Sequence, residues 1–298
     1  MNHFLDISQL SKIEAESLIE SALILKDCVN YPSYPEYPVA NLFYENSTRT
    51  RVSFEMAANH LNMPVINLDL NRSSELKGET IDDTIATLSA MGISTFIVRH
   101  SIEGLPIKLA ANVQEGKHII NAGDGRHAHP SQALLDMVTI KEKKPDLAQL
   151  KIAVLGDVLH SRVANSFQQL CKLLEVGQLT MIAPDIWQPR PDKVIYGHVT
   201  NSLKEGLADA DVIMCLRVQN ERLKDSEQFD INTYRKEYAL TQTTLKLAKP
   251  DAIVMHPGPI NRGVEIDDDV ADGQQSTILQ QVQNGVYTRM AILQAVIE

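Results

Sequence analysis

Short runs of apolar and β-branched residues alternate with stretches of helical periodicity along the whole chain. In the first half, residues 39–44, 65–68, 95–99 and 118–122 read as strands. Compact apolar runs of this length, bounded by polar or turn residues, fit strands covered on both faces. Residues 51–61 and 81–91 between them carry the helical period, and the second stretch opens on Thr80 with Asp83 three residues on, a capping pattern, and stops at Gly92. In the second half, 151–155, 180–183, 212–216 and 252–255 read as strands, with helices near 163–175 and 232–238.

This alternation predicts an α/β fold of two domains, each a mostly parallel sheet flanked by helices, the two joined by interdomain helices. A length of 298 residues suits two domains of about 150 residues each. The break falls near 141–149, where a charged stretch with Pro145 follows a helix over 131–140. The expected division is therefore 1–144 and 145–276, with a last helix over 277–298 packing back on the first domain. No internal repeat or low-complexity segment interrupts the pattern.

Composition changes this picture little: 44% hydrophobic and 22% charged residues describe an ordinary globular chain. The net charge of −10, with no basic tail or stripe, argues against a nucleic-acid partner. Small anionic substrates respond to the local field instead, so the question becomes where Arg, Lys and His cluster. Cys28, Cys171 and Cys215 form no CxxC pair and each sits in an apolar periodic stretch, which predicts buried structural thiols. Residues 1–10 carry no secretion signal and no apolar stretch is long enough to span a bilayer, so the cytoplasm is the expected location.

In doubly wound sheets, ligands bind past the carboxyl ends of the strands, and the unusual residues here all follow strands. After 39–44 comes Glu45-Asn46-Ser47-Thr48-Arg49-Thr50-Arg51, leading into a helix. Hydroxyl groups, an arginine and open amides at a helix N-terminus make a phosphate cradle without a glycine-rich loop. A lone Ser-Thr-Arg is more often a helix cap with solvated arginines; the longer string is far more specific.

Ser47-Thr48-Arg49-Thr50-Arg51 resembles the carbamoyl-phosphate signature of the aspartate and ornithine carbamoyltransferases. The resemblance recurs in order along nearly the whole chain, at Lys77-Gly78-Glu79-Thr80, Val98-Arg99-His100, His129-Pro130-Ser131-Gln132, Arg162, Arg217-Val218-Gln219 and His256-Pro257-Gly258-Pro259. It implies transfer of the carbamoyl group of carbamoyl phosphate to an amine, an early step of pyrimidine biosynthesis when the amine is aspartate. It also implies a homotrimer whose sites are shared by adjacent chains, the Lys77 loop reaching into the neighbour's site. On that basis Ser47, Thr48, Arg49, Thr50 and Arg99 hold the phosphate, with Ser73 and Lys77 supplied by the neighbouring chain. Thr50, Arg99 and His129 stabilise the oxyanion, while Gln132 and the Gly258 and Pro259 carbonyls receive the carbamoyl NH2 group. Neither cofactor nor metal is implied. Regulatory chains or dihydroorotase are further partners that the residues neither require nor exclude.

The acceptor is read elsewhere. Aspartate brings two carboxylates, for which planar guanidinium groups are bidentate partners. Arg162 and Arg217, the latter with Gln219, stand after two separate strands, and Lys77 joins them by resemblance. The ornithine enzymes carry Asp-x-x-x-Ser-Met-Gly and His-Cys-Leu-Pro at the corresponding loops, which this chain lacks. Aspartate is therefore expected. Glu45 resembles a residue that bridges to Arg162 and Arg222 on domain closure.

Other readings fare worse. The segment from Gly156 to Arg162 has a single glycine, which argues against a dinucleotide-binding G-x-G-x-x-G turn. A catalytically dead scaffold would have lost one of Arg49, Thr50, Arg99, His129 or Arg217, and all are present. His127 and His129 form an H-x-H without a third ligand at metal spacing, and Asp267-Asp268-Asp269 reads as a solvated acidic turn.

Overall fold

The computed structural model describes residues 1–68, 79–218 and 229–298. In chain order its main elements are α1 (Lys12–Asp27), β1 (Val39–Phe43), α2 (Thr48–His60), β2 (Val65–Asn67), α3 (Ile81–Ala90), β3 (Thr95–His100), α4 (Leu105–Asn112), β4 (His118–Asp124) and α5 (Pro130–Lys143). There follow β5 (Lys151–Leu155), α6 (Arg162–Leu173), β6 (Gln178–Ile182), β7 (His198–Thr200), α7 (Leu203–Leu207), β8 (Val212–Cys215), α8 (Ile231–Tyr238), α9 (Gln242–Leu245), β9 (Ile253–Met255), α10 (Asp268–Ala271) and α11 (Ile278–Ile297). Two compact units result: one is discontinuous, comprising Met1–Val138 and Val282–Glu298, and the other is Thr139–Gln281.

The first unit carries a four-stranded sheet in the order β2-β1-β3-β4, every pair parallel. Ala40 and Leu42 of β1, Phe96 and Val98 of β3, and Ile119 of β4 share a core with Ile85 and Leu88 of α3 and Leu105 and Leu109 of α4. Each such fully buried large side chain contributes about 1.5–3 kcal/mol. The capping box expected at Thr80 forms, with Asp83 N–H on Thr80 Oγ1 at 3.1 Å. Helix α11 joins this unit through Arg289, whose guanidinium lies 5.0 Å from the Phe54 ring and 3.5 Å from Ser131 Oγ.

The second unit carries a five-stranded parallel sheet, β7-β6-β5-β8-β9. Trp187, Phe229, Tyr234 and Tyr238 form an aromatic cluster with ring centroids 5.4–6.4 Å apart, a geometry that adds to simple area burial. Gly156 marks a close approach of neighbouring strands: at φ +135°, an added Cβ would stand 2.7 Å from Leu216 O.

The structure corrects some expectations. Helix α2 starts at Thr48, not at residue 51, so Thr48, Arg49 and Thr50 form its first turn. Cys171 and Cys215 are buried, but Cys28 is only half-buried, because it is the C-cap of α1. The acidic turn is ion-paired: Asp267 meets Arg235 at 2.7 Å and Asp268 meets Arg262 at 2.8 Å. Among the described residues no helix is long and apolar enough to cross a membrane.

Candidate active site

In the first sheet the strand order reverses between β1 and β3, the point past which open parallel sheets place ligands. The two strands leave the sheet together, since Tyr44 N–H donates to Arg99 O at 2.9 Å. Three residues on, Ser47 starts α2 in extended backbone, φ −157° and ψ 91°, with no side-chain cap bond. Ser11, Thr80, Ser161 and Asp230 each cap their helices by accepting a backbone N–H. The Ser47 hydroxyl does not, and the first-turn amides of a helix have no intrahelical acceptor of their own. Thr50 is buried, while Thr48 and Arg49 are exposed.

Arg99 is only 8% exposed, yet it follows the apolar Phe96–Val98 run of β3. Its surroundings explain how it is held. The β3–β4 register shifts by one residue between the Val98–Asn121 and His100–Asp124 pairs, and Gly123 takes φ +120° there. Such irregularities re-aim groups at sheet ends; here Ala122 O accepts Arg99 Nη1 at 3.1 Å. Asn121 fastens the irregularity, accepting Gly123 N–H at 2.8 Å and donating to Leu5 O and Asp124 Oδ1, both at 2.9 Å. Arg99 also faces Glu45 Oε2 at 3.5 Å and His129 Nε2 at 3.4 Å.

His129 immediately precedes α5 and Gln132 lies in its first turn, where Pro130 suits the N1 position because its missing N–H has no helical partner there. Gln132 Nε2 donates to Asp136 Oδ1 at 2.8 Å, with both side chains buried. Burial lowers the Arg289 pKa to about 9, against the opposing attraction of Asp136. At the end of β4, burial would raise the Asp124 carboxyl. Hydrogen bonds from His127, Asn121 and the Gly104 amide outweigh it, and the net shift is downward. His127 is raised, chiefly by its bond to Asp124 at 3.0 Å.

The second sheet reverses order between β5 and β8. Past β5, Asp157 accepts His160 Nδ1 at 2.8 Å, Ser161 caps α6 and the next residue is Arg162, 7% exposed. Past β8 come Leu216 and Arg217; Arg217 Nε donates to Asn261 Oδ1 at 3.4 Å. Past β9 comes the His256-Pro257-Gly258-Pro259 turn, with a cis Gly258–Pro259 bond. Gly258 N–H donates to His256 Nδ1 at 2.8 Å, so the ring proton sits on Nε2 and is donated to Glu265 Oε1 at 3.1 Å. Burial pushes the Cys215 thiol upward, away from reactivity. No group of three or more His, Cys, Asp or Glu among the described residues is arranged to hold a metal ion.

Of the residues expected from the sequence, Ser47, Thr48, Arg49, Thr50, Arg99, His129 and Gln132 thus lie in the first unit, and Arg162, Arg217, Gly258 and Pro259 in the second. Ser73, Lys77 and Gln219, with Arg222, lie outside the described residues. Sequence reasoning missed Asn121, Asp136, Asn261 and Glu265, the groups that orient the others. The only signal for Asn121 and Glu265 was a polar letter at a buried position, which the alternating pattern does not flag.

Two parallel α/β units, each placing a buried arginine and polar donors past a reversal of strand order, define a protein built to bind small anionic molecules. Residues 2–142 match the family profile described as "Aspartate/ornithine carbamoyltransferase, carbamoyl-P binding domain", and residues 148–296 the profile described as "Aspartate/ornithine carbamoyltransferase, Asp/Orn binding domain". The chain belongs to the aspartate/ornithine carbamoyltransferase family. An aspartate carbamoyltransferase catalytic subunit of Legionella pneumophila (strain Corby) is 62% identical over 297 residues, 100% of this chain and 99% of the relative. Among solved structures, Trypanosoma cruzi aspartate transcarbamoylase in complex with carbamoyl aspartate and phosphate superposes with TM-score 0.89 at 29% identity, covering 100% of this chain and 96% of that one. Pyrococcus furiosus ornithine carbamoyltransferase gives TM-score 0.87 at 26% identity, covering 99% and 97%.

Proposed function

We propose that this chain is an aspartate carbamoyltransferase, which transfers the carbamoyl group of carbamoyl phosphate to the amine of L-aspartate, giving N-carbamoyl-L-aspartate and phosphate. The observation that carries the first substrate is the α2 N-terminus. Ser47 makes no side-chain cap bond to the first turn of α2, and Arg99 meets Glu45 just before it, an arrangement that suits a phosphate. The full-length identity of 62% to an aspartate enzyme supports the acceptor.

Ser47, Thr48, Arg49, Thr50 and Arg99 hold the phosphate. Thr50, Arg99 and His129 donate to the oxygen that becomes an oxyanion as the uncharged amine attacks the carbonyl carbon. The C–N bond forms, the C–O bond to phosphate breaks, and the departing phosphate takes the bond's electron pair and accepts the amine's proton. Catalysis is then positioning and charge stabilisation. The carboxylate of Asp136 can only accept, so it takes the NH2 end of Gln132 and turns Oε1 away, fit to receive the carbamoyl NH2 with the Gly258 and Pro259 carbonyls. Arg162, Arg217, Gln219 and Lys77 bind the aspartate carboxylates.

Ser73 and Lys77 come from an adjacent chain of a homotrimer, which works in the cytoplasm in pyrimidine biosynthesis. The division of labour follows the domains: residues 1–144 with 277–298 take carbamoyl phosphate, and 145–276 take aspartate. Phosphate release that depends on carbamoyl phosphate, measured with aspartate and with ornithine in parallel, tests the reading. Release with aspartate alone is expected, and release with ornithine alone overturns the acceptor.

A further inference from the structure

Arg217 and the His256–Pro259 turn are held by one short segment, residues 261–265, that no motif marks. Asn261 Oδ1 accepts Arg217 Nε at 3.4 Å, and Asn261 Nδ2 donates to Val218 O at 2.8 Å. The amide can point only this way, because a guanidinium only donates and a carbonyl only accepts. The backbone N–H of Asn261 donates to Glu265 Oε1 at 2.6 Å, the same oxygen that accepts His256 Nε2. Glu265 and His256 are 0% and 2% exposed. On the outside, Arg262 braces the segment through paired bonds to Asp272 at 2.7 and 2.9 Å.

We propose that Asn261 is a positioning residue for acceptor binding, its amide aiming the Arg217 guanidinium at an aspartate carboxylate without neutralising it. This rests on the reading of Arg217 as a carboxylate ligand. A guanidinium is a rigid planar fork, so a bond at Nε sets the plane in which its remaining donors lie. A carboxylate at position 261 would set that plane too, but would compete with the substrate for the same charge and face the Val218 carbonyl as a like dipole. An apolar residue would remove the acceptor at Nε. A neutral acceptor tied to the adjacent backbone orients the arginine from that side and adds no negative charge of its own. Because Glu265 Oε1 anchors both Asn261 and His256, one oxygen sets the arginine and the carbonyl turn together.

The test is steady-state kinetics on full-length Asn261→Ala and Asn261→Asp, each alone and combined with Arg217→Ala, alongside equilibrium binding of carbamoyl phosphate. Asn261→Ala should raise the aspartate KM about tenfold, the scale of one hydrogen bond to a charged group, with carbamoyl-phosphate affinity unchanged. Asn261→Asp, equal in size to the native residue, should raise it further, and neither change should add to the defect of Arg217→Ala. An unchanged aspartate KM in Asn261→Ala, an aspartate KM in Asn261→Asp no higher than in Asn261→Ala, or equal losses with and without Arg217 would each overturn the positioning role while leaving the acceptor reading standing. Should Asn261→Ala melt early, the near-isosteric Asp comparison still decides. Undiminished aspartate use in Arg217→Ala would remove the acceptor assignment, and this role with it.

Discussion

Gln132 and Asp136, one helical turn apart on α5, are joined by a 2.8 Å bond from Nε2 to Oδ1. The bond decides which end of the amide faces away from the helix. Gln132→Glu would set two carboxyl groups at that distance in a buried place, and one would keep its proton by a raised pKa. A carboxyl raised in the folded state contributes stability below its unfolded pKa and loses it as pH rises through the folded value. Urea unfolding of Gln132→Glu should therefore show stability falling from pH 5 to 8 relative to the wild type. A parallel pH dependence in both proteins would mean that the two side chains do not touch.

Ser47 offers a cleaner separation of folding from binding. Replacing a capping serine by alanine costs about 0.5–2 kcal/mol. Ser11→Ala and Ser161→Ala should show that loss, since both hydroxyls accept a backbone N–H. Ser47→Ala should melt like the wild type yet bind carbamoyl phosphate more weakly. A melting loss equal to that of Ser11→Ala would show that the hydroxyl serves the helix.

His129, held 3.4 Å from Arg99, is expected to act by donation. His129→Ala should slow the chemical step about 10²–10³-fold, as loss of an oxyanion donor does. His129→Asn, which keeps an N–H, should recover part of the rate. Single-turnover measurements with saturating substrates separate this from binding, and an unchanged maximal rate in His129→Ala would exclude the residue.

The Asp124–His127 pair gives a pH signature. His127 is raised above its ordinary 6.5, so its stabilisation is complete below 6.5 and is lost as pH rises through the higher folded value. Asp124 is lowered below 3.8, so its share is complete above 3.8 and is lost as pH falls through the lower folded value. Titration of the His127 ring by NMR should give a midpoint above 6.5 that drops in Asp124→Asn. A midpoint unmoved by that change would break the pairing.

The proposed shared site predicts complementation. Arg49→Ala and Lys77→Ala should each be nearly inactive, but random reassortment from equal amounts should restore about a quarter of all sites, every one of them in a hybrid trimer, following three-fold closure. Hybrids confirmed by mass that gain no activity would place both groups in one chain's own site.

The central strands and the anion-binding loop were legible because each carried two signals at once. A compact apolar run at 95–99 ended in Arg99, and a second at 39–44 ran into Ser47-Thr48-Arg49. Helix α1 was missed although Ser11 and Glu14 form a capping box and Ala15, Leu18, Ile19, Ala22 and Leu25 line its buried face. Strand β7 had no signal, being three residues at the sheet edge. The orienting residues were hidden for another reason: Asn261 meets a partner 44 positions away, and nothing local in a polar turn announces it.

The first unit needs residues from both ends of its sequence span, and this sets a timetable. Its sheet is complete by Asp124, but the part of α11 from Val282 onward, whose Arg289 lies against Phe54 and whose Ala295 carbonyl receives the Met1 amino group at 3.0 Å, is translated only after the whole of Thr139–Gln281. At roughly 5–20 residues per second, a nascent chain waits roughly 7–30 s between the two parts. During that interval the contiguous unit is itself being made, and throughout it the unit begun first holds open the face that a helix not yet made will cover.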